Sequence, residues 1–171
     1  MYDVAVIGCG IVGAAAAYEL SRYNCRVLVL EAKNDVANVT TKANSAILHA
    51  GYDPTPGTLM AETNVRGVAL AKELCEKLDV EREEIGSLVL AFGEEDERHL
   101  EKLYQQGLAN GVPGIELLTA DEVHALEPNV SDKVTAALYA PTAAIVSPWE
   151  YALALAETAV VNGCELRLSA P

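Results

Sequence analysis

The chain has 171 residues, 51% of them hydrophobic, enough for one ordinary domain or for one domain and part of another. Twelve basic residues against 25 acidic ones give a formal net charge of -13, a field that disfavours nucleic acid and anionic lipid surfaces as partners. Cys9, Cys25, Cys75 and Cys164 form no CxxC pair and no cluster with histidine, which argues against a zinc centre or a redox dithiol and for a reduced, cytoplasmic setting.

In chain order, Val4-Ala5-Val6-Ile7 opens a strand over about 3–8, directly after Met1-Tyr2-Asp3. That start leaves no room for a secretory leader, and no later apolar run approaches the roughly 20 residues of a membrane span. An alanine-rich helix over about 11–23 leads to a second apolar run, Arg26–Glu31, completing a β-α-β unit. Neither strand shows polar alternation, the pattern expected where helices cover both faces of a parallel sheet. Residues 32–58 are rich in Asn, Thr, Gly and Pro and read as a long functional loop, broken only by a short apolar stretch at 46–51.

An amphipathic helix follows over about 58–78, with Leu70, Leu74 and Leu78 on one face. Residues 86–93 read as a strand. The next helix begins acidic and stops at Gly111, in keeping with its dipole. Thr119 and Glu122 have capping-box spacing and start a short helix that ends before Pro128. A strand at 133–141 precedes a second capping box at Ser147–Glu150, with Pro148 at the first helical position, and that helix stops at Gly163. A last strand begins at Cys164 and the chain then ends, which reads as a truncation. There is no internal repeat, low-complexity tract or flexible linker.

Gly8-Cys9-Gly10-Ile11-Val12-Gly13 is a GxGxxG set between a strand and a helix. Gly8 permits the sharp turn, Gly10 lets backbone approach a pyrophosphate, and Gly13 lets the helix lie close to the sheet. The helix N-terminus offers unpaired N–H groups and a positive dipole end to phosphate. Glu31 ends the second strand, where a carboxylate can accept hydrogen bonds from ribose hydroxyls and would repel a 2′-phosphate. Strand, motif, helix, strand and terminal acid together point to dinucleotide binding. The competing reading is that the glycines serve helix–sheet packing alone.

These residues do not choose between FAD and NAD. The first 53 residues resemble the amino-terminal end of FAD-dependent glycerol-3-phosphate dehydrogenases and L-2-hydroxyglutarate dehydrogenases, within the D-amino-acid-oxidase-like flavoproteins. The likeness is carried by the glycine motif, the segment Thr40-Thr41-Lys42-Ala43-Asn44-Ser45 and the element Ile47-Leu48-His49-Ala50-Gly51. The segment from Ala143 to Leu166 also resembles the part of the family that returns the chain to the FAD domain. The resemblance implies an α/β, Rossmann-like FAD-binding domain with part of a mixed α+β substrate domain. The corresponding division is 1–78 for the FAD-binding portion, 79–146 for part of the substrate domain, and 147–171 for the return to the FAD-binding domain.

The resemblance also implies roles. Gly8, Gly10, Ile11, Val12 and Gly13 would line the pyrophosphate; Glu31 and Ala32 would meet the adenosine ribose; Thr41, Asn44 and Ser45 would hydrogen-bond the diphosphate side; and backbone around His49, Ala50 and Gly51 would face the flavin. The implied reaction is oxidation of a small hydroxy acid or polyol phosphate by hydride transfer to flavin, with an electron acceptor and oligomeric state that the sequence leaves unknown. The family's second glycine-rich motif and most of its substrate contacts lie beyond the length of this chain.

His49 is the candidate proton acceptor, although a histidine held for loop geometry explains it better, because the resemblance implies proximity to flavin rather than proton transfer. His99 and His124 read as solvated, Lys42 and Arg66 as surface charge, Cys9 as packing under the turn, and Trp149 as a packing anchor. Two other readings stand beside the flavoenzyme: an isolated nucleotide-binding module, inactive alone, and an NAD-binding domain, which the Thr/Asn/Ser segment and the His49 element disfavour.

Overall fold

The computed structural model describes residues 1–170. Its elements run β1 (Val4–Ile7), α1 (Ile11–Leu20), β2 (Val27–Leu30), β3 (Ile47–Leu48), α2 (Leu59–Lys77), β4 (Arg82–Glu83), β5 (Ser87–Ala91), α3 (Glu94–Asn110), β6 (Glu116–Thr119), α4 (Ala120–Leu126), β7 (Ala136–Ala140), β8 (Ala144–Val146), α5 (Pro148–Val161) and β9 (Glu165–Arg167). They group into two compact units. The first holds residues 1–46, 74–81 and the described residues from Val146 onward; the second holds 47–73 and 82–145. The contacts thus place 47–73 with the second unit, whereas the sequence division runs at 78 and 146.

The first unit is built on a parallel sheet of order β1-β2-β9. Val4 pairs with Val27 and Ile7 with Leu30, and Leu28 pairs with Glu165 on the other side. Central β2 is buried along Val27, Leu28 and Val29, as its unbroken apolar run requires. Its neighbour β1 differs from the sequence expectation: Val4 and Val6 are half-buried, whereas Ile7 is 78% exposed. The alternation shows that this unit covers one face of β1 and leaves the other open. Helices α1 and α5 pack together through Ala14, Ala17, Ala156 and Ala159, whose small side chains let the backbones approach, with Leu155 filling the core between them and the sheet. Burying a leucine of this kind contributes roughly 2 kcal/mol.

The second unit carries two antiparallel sheets, of orders β3-β8-β4 and β5-β7-β6. Central β7 pairs in register with β5 (Val89 to Leu138) and β6 (Leu117 to Leu138). One face of this sheet packs on α3 through Leu100 and Leu103, and α4 brings Val123 against Leu118 and Ala137. Strand β6 is absent from the sequence reading, because four residues beside Gly114 carry little periodicity. In α2 the buried positions include Ala61, Ala71 and Cys75, while Leu70, expected to face inward, is 42% exposed. Leu74 and Leu78 do pack on the core of the first unit.

Helix caps follow the expected residues with one difference. At α4 the Thr119 hydroxyl accepts from the Glu122 N–H, and the Glu122 carboxylate accepts from the Thr119 N–H at 2.8 Å, a complete box. At α5 the Ser147 hydroxyl accepts from the Glu150 N–H at 3.3 Å, and only that half of the pair forms. Trp149 is 53% exposed, so it does not anchor a core, and His124 is half-buried rather than solvated.

Candidate functional site

The glycine turn is held from both sides. The Gly8 N–H donates to the Leu30 carbonyl at 2.7 Å, extending the β1–β2 ladder by one residue, and Gly8 then takes a φ of 88°, which a side chain would strain. Cys9 turns into the core, where burial pushes its thiol up to about 11, with the Glu31 charge adding to the effect. A Cβ on Gly13 would lie 1.9 Å from the Gly8 carbonyl oxygen, so helix and turn touch at a distance only glycine allows. A Cβ on Gly8 would meet nothing within 4 Å, and one on Gly10 would approach the Thr41 Oγ1 to 2.9 Å. Space above the turn is therefore open, while space beneath it is closed.

Helix α1 begins without internal neutralisation. Its first intrahelical bond runs from Ala14 N–H to the Gly10 carbonyl at 2.9 Å, which leaves the N–H groups of Ile11, Val12 and Gly13 without a helical acceptor. Gly10 supplies no side-chain cap, and the first turn holds no acid. In α3, by contrast, Glu94, Glu95, Asp96 and Glu97 fill the first turn. The mouth of α1 is thus the one of the two suited to an anion. Thr41 reaches it from a 3-10 turn at Thr40–Lys42: its Oγ1 accepts from Ile11 N–H at 3.0 Å, which leaves the hydroxyl hydrogen to donate elsewhere.

Glu31 is 8% exposed and fixed through both carboxylate oxygens. Oε2 accepts from the Cys9 N–H at 2.7 Å and Oε1 from the Lys33 N–H at 2.8 Å. The Cys9 bond first and the Lys33 bond second hold this carboxyl below the usual glutamate range, against the opposing effect of burial. Each oxygen keeps a lone pair, so the acid ties strand to turn and can still accept from a hydroxyl.

The loop after β2 is tied to the turn as well, because Ala37 N–H donates to the Cys9 carbonyl at 2.9 Å. Within it the Asn44 amide donates to the Thr41 carbonyl at 2.6 Å and accepts from Ala46 N–H at 2.8 Å, so Asn44 shapes the turn. Lys42 donates to Asn38, and Ala32 and Ser45 are exposed. Of the residues singled out in the sequence, Gly8 meets Gly13, Thr41 meets Gly10 and Ile11, and Glu31 joins the turn through Cys9, with Val12 exposed on the first turn of α1.

His49, Ala50 and Gly51 belong to the second unit. They follow β3, which pairs Ile47 with Ile145 and Leu48 with Ala144. His49 is exposed, whereas Ala50 and Gly51 are buried. Gly51 takes a φ of 109°, and a Cβ there would press to 2.5 Å from Val65 Cγ2. Two residues the sequence reading missed hold the following chain: Asn110 and Gln106 on α3 donate to carbonyls of residues 51–54. Nothing in local pattern marks them, since their partners lie more than fifty positions away.

A parallel β-α-β unit, a glycine turn open at a helix mouth, and an acid fixed at the tip of the second strand define a dinucleotide-binding fold. Sequence comparison takes the assignment further. The chain belongs to the FAD dependent oxidoreductase family, whose profile matches residues 3–171. It is 52% identical over 169 residues to a glycerol 3-phosphate dehydrogenase of Caloramator mitchellensis, an alignment covering 99% of this chain and 35% of that protein. It is 34% identical over 149 residues to the mitochondrial L-2-hydroxyglutarate dehydrogenase of Dictyostelium discoideum, covering 85% of this chain and 33% of that one. Among solved structures, the dithionite-reduced L-alpha-glycerophosphate oxidase from Mycoplasma pneumoniae with FAD bound superposes with a TM-score of 0.91 at 32% identity, over 98% of this chain and 44% of that one. The chain thus spans about a third of the length of these curated relatives. Among the described residues no helix is long and apolar enough to cross a membrane, and no group of three or more His, Cys, Asp or Glu could hold a metal ion.

Proposed function

We propose that this chain is the FAD-binding portion, with part of the substrate side, of an enzyme that oxidises a small hydroxy acid or polyol phosphate such as glycerol 3-phosphate or 2-hydroxyglutarate. The observation that carries the reading is the mouth of α1, where open glycine backbone and the N–H groups of Val12 and Gly13, which have no helical acceptor, meet no acid in the first turn. The residues fit an adenine dinucleotide. Gly8, Gly10, Ile11, Val12 and Gly13 would receive the pyrophosphate, with the Thr41 hydroxyl donating to it, and Asn44 and Ser45 would flank it. Glu31, beside Ala32, would accept from ribose hydroxyls, and its charge would disfavour a 2′-phosphate. His49, Ala50 and Gly51 would face the flavin.

Bound FAD would supply the acceptor for a hydride from the hydroxyl-bearing carbon of the substrate. Exposed His49 would be the candidate to take the hydroxyl proton, beside a role in holding the loop's geometry. The FAD-binding role would fall to residues 1–78 and 147–171, His49–Gly51 included, and the substrate-side role to residues 79–146. A cytoplasmic location is part of the proposal, supported by the unpaired thiols of Cys9, Cys25 and Cys164.

The test is spectroscopic. The full-length protein should purify yellow, with flavin bands bleached anaerobically by glycerol 3-phosphate or L-2-hydroxyglutarate. Colourless protein that takes up no FAD on titration, or takes up NAD in preference, overturns the reading. The short span relative to the relatives favours a second statement: the 171 residues alone turn over no substrate. Turnover by the isolated chain with added FAD would refute it.

A further inference from the structure

We infer that Asn110 and Gln106 are positioning residues that hold the His49–Gly51 element, by fastening the carbonyls of Gly51 and of the three residues after it to one face of α3. The inference rests on the proposed role of that element. The Asn110 Nδ2 donates to the Gly51 carbonyl at 2.9 Å and to the Pro54 carbonyl at 2.8 Å, using both of its hydrogens. The Gln106 Nε2 donates to the two carbonyls between them, Tyr52 at 3.3 Å and Asp53 at 3.2 Å. The two amides stand four residues apart and so share a face of the helix. Four consecutive carbonyls in a segment outside any helix or strand are thereby held by side chains of one rigid element.

The packing beneath this arrangement is equally specific. A Cβ on Gly107, between the two amides in sequence, would lie 2.4 Å from Ile115 Cδ1 and 3.1 Å from Tyr52 Cβ, so the loop lies directly on the helix there. Gly51 is closed on its other side by Val65 and Asn64. With its carbonyl fixed by Asn110 and its α-carbon confined, the peptide leaving Gly51 has one orientation, and His49 stands two residues upstream. Asn110 touches no reacting atom in this scheme; it acts through the backbone of residues 51–54.

The test uses the full-length protein with FAD. Asn110→Asp keeps shape but sets carboxylate oxygen against two carbonyl oxygens, and Gln106→Glu does the same more weakly on a more exposed pair. For Asn110→Asp the expected result is a limiting rate of flavin reduction by substrate about tenfold or more below wild type at full FAD occupancy, since small misplacements near reacting groups cost this much. Hydrogen exchange in the FAD-free protein should rise in residues 49–54 and stay unchanged in β7 and α1, and Gln106→Glu should show the same pattern at smaller amplitude. A merely structural role predicts a lower melting temperature with wild-type reduction per bound flavin and uniform exchange; that result overturns the inference. If Asn110→Asp does not fold, Gln106→Glu decides by the same two readings, and failure of both to fold overturns it, since the amides then serve the core. Should the wild-type protein take up no FAD or resist reduction, the functional reading fails and takes this inference with it.

Discussion

A methyl group on Gly13 would sit 1.9 Å from a backbone oxygen, whereas one on Gly10 would meet only the end of the Thr41 side chain at 2.9 Å. The two substitutions should therefore separate. Gly13→Ala cannot be relieved by a rotamer change and should destabilise by about 3 kcal/mol or more, read from the denaturant midpoint. Gly10→Ala should cost about 1 kcal/mol, the Thr41–Ile11 hydrogen bond, while weakening FAD uptake by the full-length protein in a flavin titration. Equal stability losses for the pair would show that the glycines serve packing alone. Glu31 supplies a pH-dependent counterpart. Because its folded carboxyl lies below the ordinary value of 4.5, its contribution is complete at neutral pH and is lost as pH falls through the depressed folded value. Glu31→Gln should thus lower stability at pH 7, and the deficit should shrink in urea titrations repeated below pH 4.5. A deficit independent of pH would assign the effect to shape instead of charge.

Among elements, the helices show which sequence signals are local and which are not. The Thr119–Glu122 box forms in full, whereas the same spacing at Ser147–Glu150 yields only the bond from the Glu150 N–H to the Ser147 hydroxyl. Thr119→Ala should cost about 1 kcal/mol and speed exchange at the Glu122 amide, and Ser147→Ala should cost less. The reverse order would mean that surroundings, rather than the reciprocal bond, set the cap strength. Four-residue leucine spacing in α2 placed Leu74 and Leu78 on the covered face and misplaced Leu70, since the covered positions run Val65, Val68, Ala71, Leu74, Cys75 and Leu78, a stripe of three- and four-residue steps beside which Leu70 lies. Strand β6 escaped notice for a related reason: its partner β7 lies about twenty positions downstream, and pairing with it makes Glu116–Thr119 a strand.

For the molecule as a whole, unit membership is a property of contacts between distant segments. Cys9 and Cys164 stand 155 positions apart in sequence yet share the core of the first unit, both with thiols raised above the ordinary value by burial. Thiol labelling should reach Cys25 under native conditions and reach Cys9 and Cys164 only at the denaturant concentration that unfolds this unit. Labelling of Cys9 well before that point would mean the glycine turn opens independently of the core. The family assignment extends over residues 3–171, in line with a motif near the start and a family-like return segment near the end.

From the residues alone came the β-α-β unit, the three glycines at its turn, the acid at Glu31, the caps and the flavoprotein likeness. All of these rest on spacings of a few residues, where backbone sterics and the helix dipole act without help from the rest of the chain. Folding decided the rest: that the Glu31 carboxylate is shared between Cys9 and Lys33, that Thr41 reaches the Ile11 N–H, and that Asn110 and Gln106 hold the chain after His49. Each of these needs two segments brought together by burial of apolar surface, an effect proportional to area and blind to sequence distance, so no local pattern records it.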